Sequence, residues 1–410
     1  MRTVSVALVV LLVCAREAVG QSFTQRGFVE GRTYLYPQEA PYDDTQAVLD
    51  GLAREEAFFK PAPWIQFAGG LDLRANSHDQ VEDSWHLDFS DRTVQRPRLS
   101  VRRLSATFTR GKLTLDAGKQ FIRWGKADIV TPTDRFAPRD FLNVFDSEFL
   151  AVTGVRATVQ AGAETIEGVW VPRLTPSRVP LPDQRWTVPP PAAIGVPIVD
   201  VGAPLPDGSQ AGLRWSHVGA GFEVSASFFD GFNHLPNFAT DVRAAPPLIR
   251  YARVFPAIRM YGGDAAVPLR WFTIKGEAAY FTSSTANTDE YVLYVAQLER
   301  QSGEWVFVGG YAGEAVTKQV ATLTFAPDRG LTRAIVARAS YTIDPNRSVS
   351  FETAVRQNFA GVYAKAEYSQ ARGQHWRATV AGILLAGDDD DFLGQYHRNS
   401  HVSVGVRYSF

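Results

Sequence analysis

The chain has 410 residues, a formal net charge of −1 at pH 7 and a single cysteine, Cys14. The near-neutral charge gives no reason to expect a nucleic-acid partner. The lone cysteine excludes a disulfide framework and a metal site built from cysteines.

The amino terminus has the pattern of a secretory signal peptide. Arg2 precedes an apolar run, residues 4–14, and the small residues 18–20 fit a peptidase site. The run is too short for a stop-transfer helix, and no later stretch reaches the roughly 18 apolar residues of a membrane-spanning helix. We therefore expect residues 1–20 to be removed with Cys14, leaving residues 21–410 as a single domain.

Most of the remaining chain alternates apolar and polar residues with a period of two, which predicts strands with two different environments. Residues 26–34 and 49–59 alternate imperfectly, and 53–58 could also form a short helix. A phase slip at Arg102 and Arg103 predicts a β-bulge in the strand 99–109. The clearer strands are 64–74, 99–109, 113–118, 152–159, 165–171, 213–215, 222–229, 257–266, 272–280, 291–298, 305–311, 334–341, 349–355, 362–368, 376–384 and 401–410.

The last strand, residues 401–410, alternates most clearly. One face carries Val402, Val404, Val406, Tyr408 and Phe410. The strand resembles the final strand of bacterial outer-membrane β-barrels, which ends in Phe and is bound by the barrel-assembly machinery. This resemblance implies that Phe410 contacts that machinery during assembly.

Short turns and longer connections alternate along the chain, which is typical of barrels with short periplasmic turns and long extracellular loops. With the two uncertain strands included, we count 18 strands; 16 is the alternative. The predicted fold is all-β, a closed antiparallel transmembrane β-barrel in the bacterial outer membrane. A soluble β-sandwich does not require this asymmetry of turns.

Charged residues fall on the polar face of these strands, whereas aromatic residues near strand ends fall on the apolar face. A charge that faces lipid at the midplane costs about 2–4 kcal/mol, so the charged face should line a wet lumen. The predicted lumen-lining residues are Arg74, Asp116, Arg156, Glu167, Arg214, Glu223, Lys275, Glu277, Arg356, Glu367, Arg377 and Arg407.

The most unusual stretch follows the strand 113–118 and continues to about residue 150. It carries both charge signs and is interrupted by Gly125, Pro132 and Pro138. We hypothesise that this loop, about 122–150, folds into the barrel, because rings of fixed charge in a narrow pore set selectivity; an extracellular loop held by its own salt bridges is the alternative. The predicted constriction residues are Arg123, Lys126, Asp128, Asp134, Arg135, Arg139 and Asp140.

Several short motifs carry a second resemblance. Residues 119–120, 124–128, 169–172 and 392–395 look like motifs of a proteobacterial family of porin-like outer-membrane proteins of unknown function. The chain is more distantly similar to alginate-export-type porins. The resemblance implies a monomeric barrel and names no solute.

The expected function is therefore passive passage of small hydrophilic or amphiphilic solutes across the outer membrane. A non-conducting barrel that binds a polysaccharide or a protein partner is the alternative. A hydrolase using Ser400 and His401 is disfavoured, because adjacent strand residues point to opposite faces. The acidic run 388–391 could bind calcium, but a solvated loop is the better interpretation, and we expect no metal, no cofactor and no catalytic residue.

Overall fold

The computed structural model describes residues 22–128, 130–189, 193–320 and 323–410. The predicted signal peptide, with Cys14, lies outside these residues. The barrel strands are β1 Ser22–Leu35, β2 Ala47–Ala62, β3 Ile65–Asn76, β4 Leu99–Arg110, β5 Leu113–Gln120, β6 Val152–Ala161, β7 Glu164–Val171, β8 Gln210–Gly219, β9 Phe222–Phe232, β10 Ala257–Pro268, β11 Thr273–Ser283, β12 Glu290–Ser302, β13 Trp305–Lys318, β14 Ala334–Asp344, β15 Arg347–Arg356, β16 Gly361–Arg372, β17 Trp376–Gly387 and β18 His401–Ser409.

These described strands form a closed antiparallel barrel of 18 strands. Each strand pairs with its neighbours in the chain, and β1 pairs with both β2 and β18, so the sheet has no free edge. The backbones of Gly27 and Phe410 exchange two hydrogen bonds of 3.0 Å at the closure. The predicted count of 18 is confirmed, and residues 53–58 are part of a strand, not a helix.

The strand registers separate an outer face from an inner face. On β18, Val402, Val404 and Val406 are exposed on the outer face. Arg407 lies on the other face, opposite Arg377 of β17. An apolar exterior and a charged interior are the arrangement that a lipid environment requires.

The two edges of the barrel differ. One edge, the short-turn edge, carries tight turns such as 111–112, 162–163 and 345–346. The other, the loop edge, carries the longer connections, which contain a small sheet of Ile198–Asp200, Asn237–Ala244, Pro247–Val254 and Leu323–Thr324, the helix α1 Pro327–Gly330 and the 3₁₀ turn Gly394–Asn399. Within the described residues, no helix has the length and apolar character needed to cross a membrane.

Apolar side chains fill much of the interior at the loop edge. A first apolar cluster joins the loops to the inner faces of β1 and β14–β17 and includes Tyr34, Phe141, Val144, Trp186, Leu235, Phe325, Tyr363, Leu385, Leu393 and Tyr396. A second cluster packs on β6, β7 and β9–β12 and includes Ile122, Trp124, Phe136, Val171, Phe229, Met260, Phe281 and Leu293. The loops are therefore packed into the barrel rather than spread over its mouth.

Candidate pore constriction

The connection between β5 and β6, described for residues 121–128 and 130–151, contacts the inner face of the barrel wall; we call it the inner segment. Its Glu148 pairs with Arg74 of β3 at 2.5 Å. The backbone N–H of Lys126 donates to Glu277 of β11 at 2.9 Å. Strands β3 and β11 lie far apart around the barrel, so the segment contacts two distant parts of its inner face.

Glu277 is the main anchor of the inner segment. Its carboxylate accepts hydrogen bonds from the backbone N–H groups of Lys126, Ala127 and Thr133 at 2.8–3.1 Å, and from the Thr133 hydroxyl at 2.8 Å. Asp128 adds a salt bridge to Lys275 of β11 at 3.1 Å. One wall carboxylate thus holds two separate turns of the segment, and hydrogen bonds to a charged acceptor are among the stronger ones.

Three predicted constriction residues are buried; one bonds within the segment and two join it to other parts of the chain. The Asp134 carboxylate accepts from the N–H groups of Trp124 and Gly125 at 2.5 and 2.7 Å. Arg135 pairs with Asp328 at 3.4 Å. Asp140 receives two hydrogen bonds of 2.9 Å from Arg96 and one of 3.2 Å from Arg178.

The ionised form of Asp140 is strongly favoured. Burial alone would raise the pKa of its carboxyl group, but the guanidinium groups of Arg96 and Arg178 outweigh burial and hold the pKa well below its usual value. Asp140 is therefore charged throughout the physiological range and fastens the segment to Arg96, which precedes β4.

The other four predicted constriction residues, Arg123, Lys126, Asp128 and Arg139, retain accessible surface. The guanidinium carbons of Arg123 and Arg139 lie 4.2 and 4.0 Å from the centroid of the Phe149 ring. Lys126 forms a salt bridge with Glu223 of β9. Of the seven predicted constriction residues, these four therefore remain candidates for contact with a solute.

A β-bulge adds two further arginines, which the sequence pattern indicates only as a phase slip. Leu71 of β3 pairs with Val101 and the preceding residue, Gly70, pairs with Arg103, so Arg102 is the extra residue. Bulges commonly redirect side chains, and here both arginines face the Phe121 ring, at 4.9 and 5.3 Å from its centroid.

We call Arg102, Arg103, Arg123 and Arg139 the arginine cluster. Among the described residues, no carboxylate lies within 4.0 Å of Arg103 or Arg139, and the carboxylates nearest Arg102 are 3.8 and 3.9 Å away. Burial, together with neighbouring arginines, lowers the pKa of the Arg139 guanidinium. Arg123 pairs with Asp134 at 3.3 Å, so the guanidinium groups in the cluster that remain free, within the described part of the chain, to bind an anion are those of Arg103 and Arg139, each beside an aromatic ring.

The strand registers put all the predicted lumen-lining residues on the inner face. The inner segment covers part of that face: Trp124 donates to Glu167, and Asp116 is buried while paired with Arg156 at 2.8 Å. Glu367 and Arg377 remain accessible. Contact of any of these residues with a solute stays a prediction.

A cavity of about 340 Å³, the inner cavity, separates the inner segment from β14–β16. Its polar side carries Asp128, Arg139, Arg338 and Lys365, whereas its other end is closed by buried apolar residues such as Leu235. The arginine cluster thus reaches this cavity through Arg139.

Other candidate chemistry finds no matching geometry. Ser400 donates to the carbonyl oxygens of Leu385 and His397, at 3.1 and 3.0 Å. The buried His401 ring contacts the Asn399 carbonyl at 2.8 Å. In the part of the chain that the structure describes, no group of three acidic, cysteine or histidine residues is arranged to hold a metal ion.

Comparison with known proteins identifies the fold. No protein-family model and no curated protein matches the sequence. A BenF-like porin of Pseudomonas fluorescens Pf-5 aligns over 96% of this chain and 99% of its own, at a TM-score of 0.57 and 8% identity. OccAB4 of Acinetobacter baumannii aligns over 96% and 99%, at 0.55 and 11%. OpdK of Pseudomonas aeruginosa, determined with vanillate, aligns over 94% and 98%, at 0.53 and 8%. The chain has the fold of outer-membrane porins.

Proposed function

We propose that this protein is an outer-membrane channel for small amphiphilic solutes, with a preference for anions, and that these solutes pass between the inner segment and β14–β16. The observation that carries the proposal is the arginine cluster, because two of its guanidinium groups have no carboxylate partner among the described residues. An unpaired guanidinium inside a pore attracts anions and binds carboxylates in a planar, two-point geometry.

The surroundings of the cluster favour an amphiphilic anion over a simple inorganic one. Phe149 lies beneath Arg123 and Arg139, and Phe145 lines the inner cavity together with Arg139. A solute with a carboxylate and a ring would therefore meet positive charge and aromatic surface in the same place. OpdK was determined with vanillate, an aromatic carboxylate. Its similarity to this chain concerns the fold alone, so the proposal of an anionic solute rests on the arginine cluster.

The test is ion selectivity in planar bilayers. We expect the wild-type channel to pass chloride in preference to potassium, and benzoate to block the chloride current. The double variant Arg103→Gln/Arg139→Gln should lose most of this preference, because both guanidinium groups without a carboxylate partner among the described residues are removed. Arg347→Gln is the matched control, since its side chain pairs with Asp344 at the short-turn edge, away from the lumen.

An unchanged reversal potential in the double variant would contradict the anion preference while leaving the channel intact. The non-conducting barrel is the second candidate, favoured by the apolar cluster that packs the loops into the barrel. Folded wild-type protein that shows no conductance steps would favour that candidate. Recognition of Phe410 by the assembly machinery, the monomeric state and the absence of hydrolase activity stay predictions.

A further inference from the structure

A second and larger cavity, about 760 Å³ in volume, lies at the loop edge; we call it the outer cavity. Its rim is exposed, with Val242 and Leu323 being 70% and 54% accessible. Apolar and aromatic side chains form one part of its lining, among them Trp186, Ile198, Phe238, Tyr251, Phe325 and Tyr396, and charged side chains form another. A concave apolar pocket with few polar groups is the usual form of a small-molecule site.

A thin wall separates the outer cavity from the inner cavity. It consists of residues 326–331, which contain α1, and of Phe392; we call it the septum. Pro327, Asp328 and Leu331 line the inner cavity, whereas Arg329 lies on the side of the outer cavity. Phe392 lines both cavities, so its side chain forms part of the wall between them.

Close packing holds Phe392 against α1. A Cβ atom placed on Gly330 would lie 2.3 Å from Cγ of Phe392, so only a glycine at position 330 lets the ring approach this closely. Arg356 of β15 connects the two parts of the septum, because it donates to the carbonyl oxygens of Gly330 and Thr332 and to the carboxylate of Asp391 at 2.8 Å. Arg356, a predicted lumen-lining residue, therefore holds the two parts of the septum together.

We propose that the outer cavity is the entry site of the channel for the uncharged ring of an amphiphilic solute, and that Phe392 is the gate between this site and the inner cavity. This inference rests on the proposed function. Movement of Phe392 away from Gly330 joins the two cavities into one path. An apolar constriction of this kind stops ion flow by excluding water until it is displaced.

The charges around the outer cavity decide which end of the solute enters first. Asp289, Glu314, Asp389 and Asp390 line it, and its one arginine, Arg329, is already paired with Asp289 at 2.8 Å and with Glu314 among the described residues. A carboxylate gains nothing there, whereas an apolar ring is buried against aromatic side chains. The solute therefore enters ring first, and its carboxylate later meets the arginine cluster.

The test is a reversible lock on the gate, the double variant Gly330→Cys/Phe392→Cys. A Cβ atom at position 330 would lie against the Phe392 ring, so the two cysteines are neighbours in space, as a disulfide requires. In planar bilayers we expect the oxidised variant to conduct no more than wild type, and dithiothreitol to raise its conductance about twofold or more by opening the constriction. The single variant Phe392→Cys is the matched control and should conduct at the raised level with or without the reductant.

The variant Phe392→Ala tests the gate without a disulfide. It should have the same raised conductance. Benzyl alcohol, an uncharged ring added at the loop edge, should block it more weakly than it blocks wild type. If the wild-type channel conducts, and the locked, reduced and Phe392→Ala forms have the same conductance as wild type, Phe392 is not a gate. The proposed channel function would be unaffected by that result. Silence of every folded form would overturn the gate and the proposed function together.

Discussion

Charged residues alternate along the strands in both halves of the inner wall, but the surroundings of these residues differ between the halves. On the covered half, β3–β12, the inner segment packs over the wall, and Glu277 and Asp264 are only 3% and 5% accessible. On the open half, β13–β18, the loops cover the inner face near the loop edge, but Glu367 and Arg377, closer to the short-turn edge, retain accessible surface. The same strand pattern thus places structural anchors on one half of the inner wall and candidate solute contacts on the other. The difference arises because the two halves are covered to different extents.

The largest expected effect comes from removing the main anchor of the covered half. Glu277→Ala leaves the N–H groups of Lys126, Ala127 and Thr133 without their acceptor inside the barrel. We expect a loss of about 3 kcal/mol or more in the free energy of unfolding, because buried donors of a charged network lose their partner. Urea unfolding in detergent measures this loss.

The matched control lies on the open half. Glu367→Ala removes a carboxylate that pairs with Lys365 at 3.0 Å but keeps a third of its side chain accessible. Its loss should change the free energy of unfolding by less than about 1 kcal/mol, since exposed pairs contribute little. Equal effects of the two substitutions would remove the distinction between the halves.

A smaller effect is expected from pH. Burial opposes ionisation of Glu148, but Arg74, Arg54 and Arg102 outweigh burial and lower the pKa of its carboxyl group to about 2. The stabilisation from this group is fully present above its unfolded pKa near 4.5 and is lost as pH falls through about 2. The expected loss is about 1 kcal/mol, because the side chain is 41% accessible and solvent screens partly exposed pairs.

Glu148→Gln should lower the urea midpoint at pH 7 and flatten its dependence on pH between about 5 and 2 relative to wild type. The buried Asp140 adds to the wild-type dependence in the same direction, since its pKa is also depressed. A urea midpoint that rises as pH falls through this range would contradict the role given to the two carboxylates.

Strand positions could be predicted because each barrel strand faces lipid on one side and a polar interior on the other. The phase slip at Arg102 and Arg103 likewise corresponds to the observed bulge, since one extra residue shifts the alternation. These features depend on neighbouring residues within a strand, which is the information that a local pattern contains.

The apolar packing inside the barrel could not be predicted from such local patterns. Apolar residues on the charged face of a strand, such as Phe229 with Glu223 and Ile383 with Arg377, were the local signal that apolar side chains pack inside the barrel. Burial of Asp134 and Asp140, and the contact of Phe392 with Gly330, depend on residues far apart in the chain. Loops without periodicity give no information about such contacts.

A disulfide between the inner segment and the barrel wall tests the central claim most directly. A Cβ atom placed on Gly262, on the inner face of β10, would lie 2.8 Å from Cγ2 of Thr133. The variant Thr133→Cys/Gly262→Cys should therefore cross-link on oxidation, whereas Thr133→Cys/Tyr261→Cys, with its second cysteine on the outer face, should not. Free thiols in both oxidised variants, or a cross-link only to position 261, would show that the segment does not lie inside the barrel.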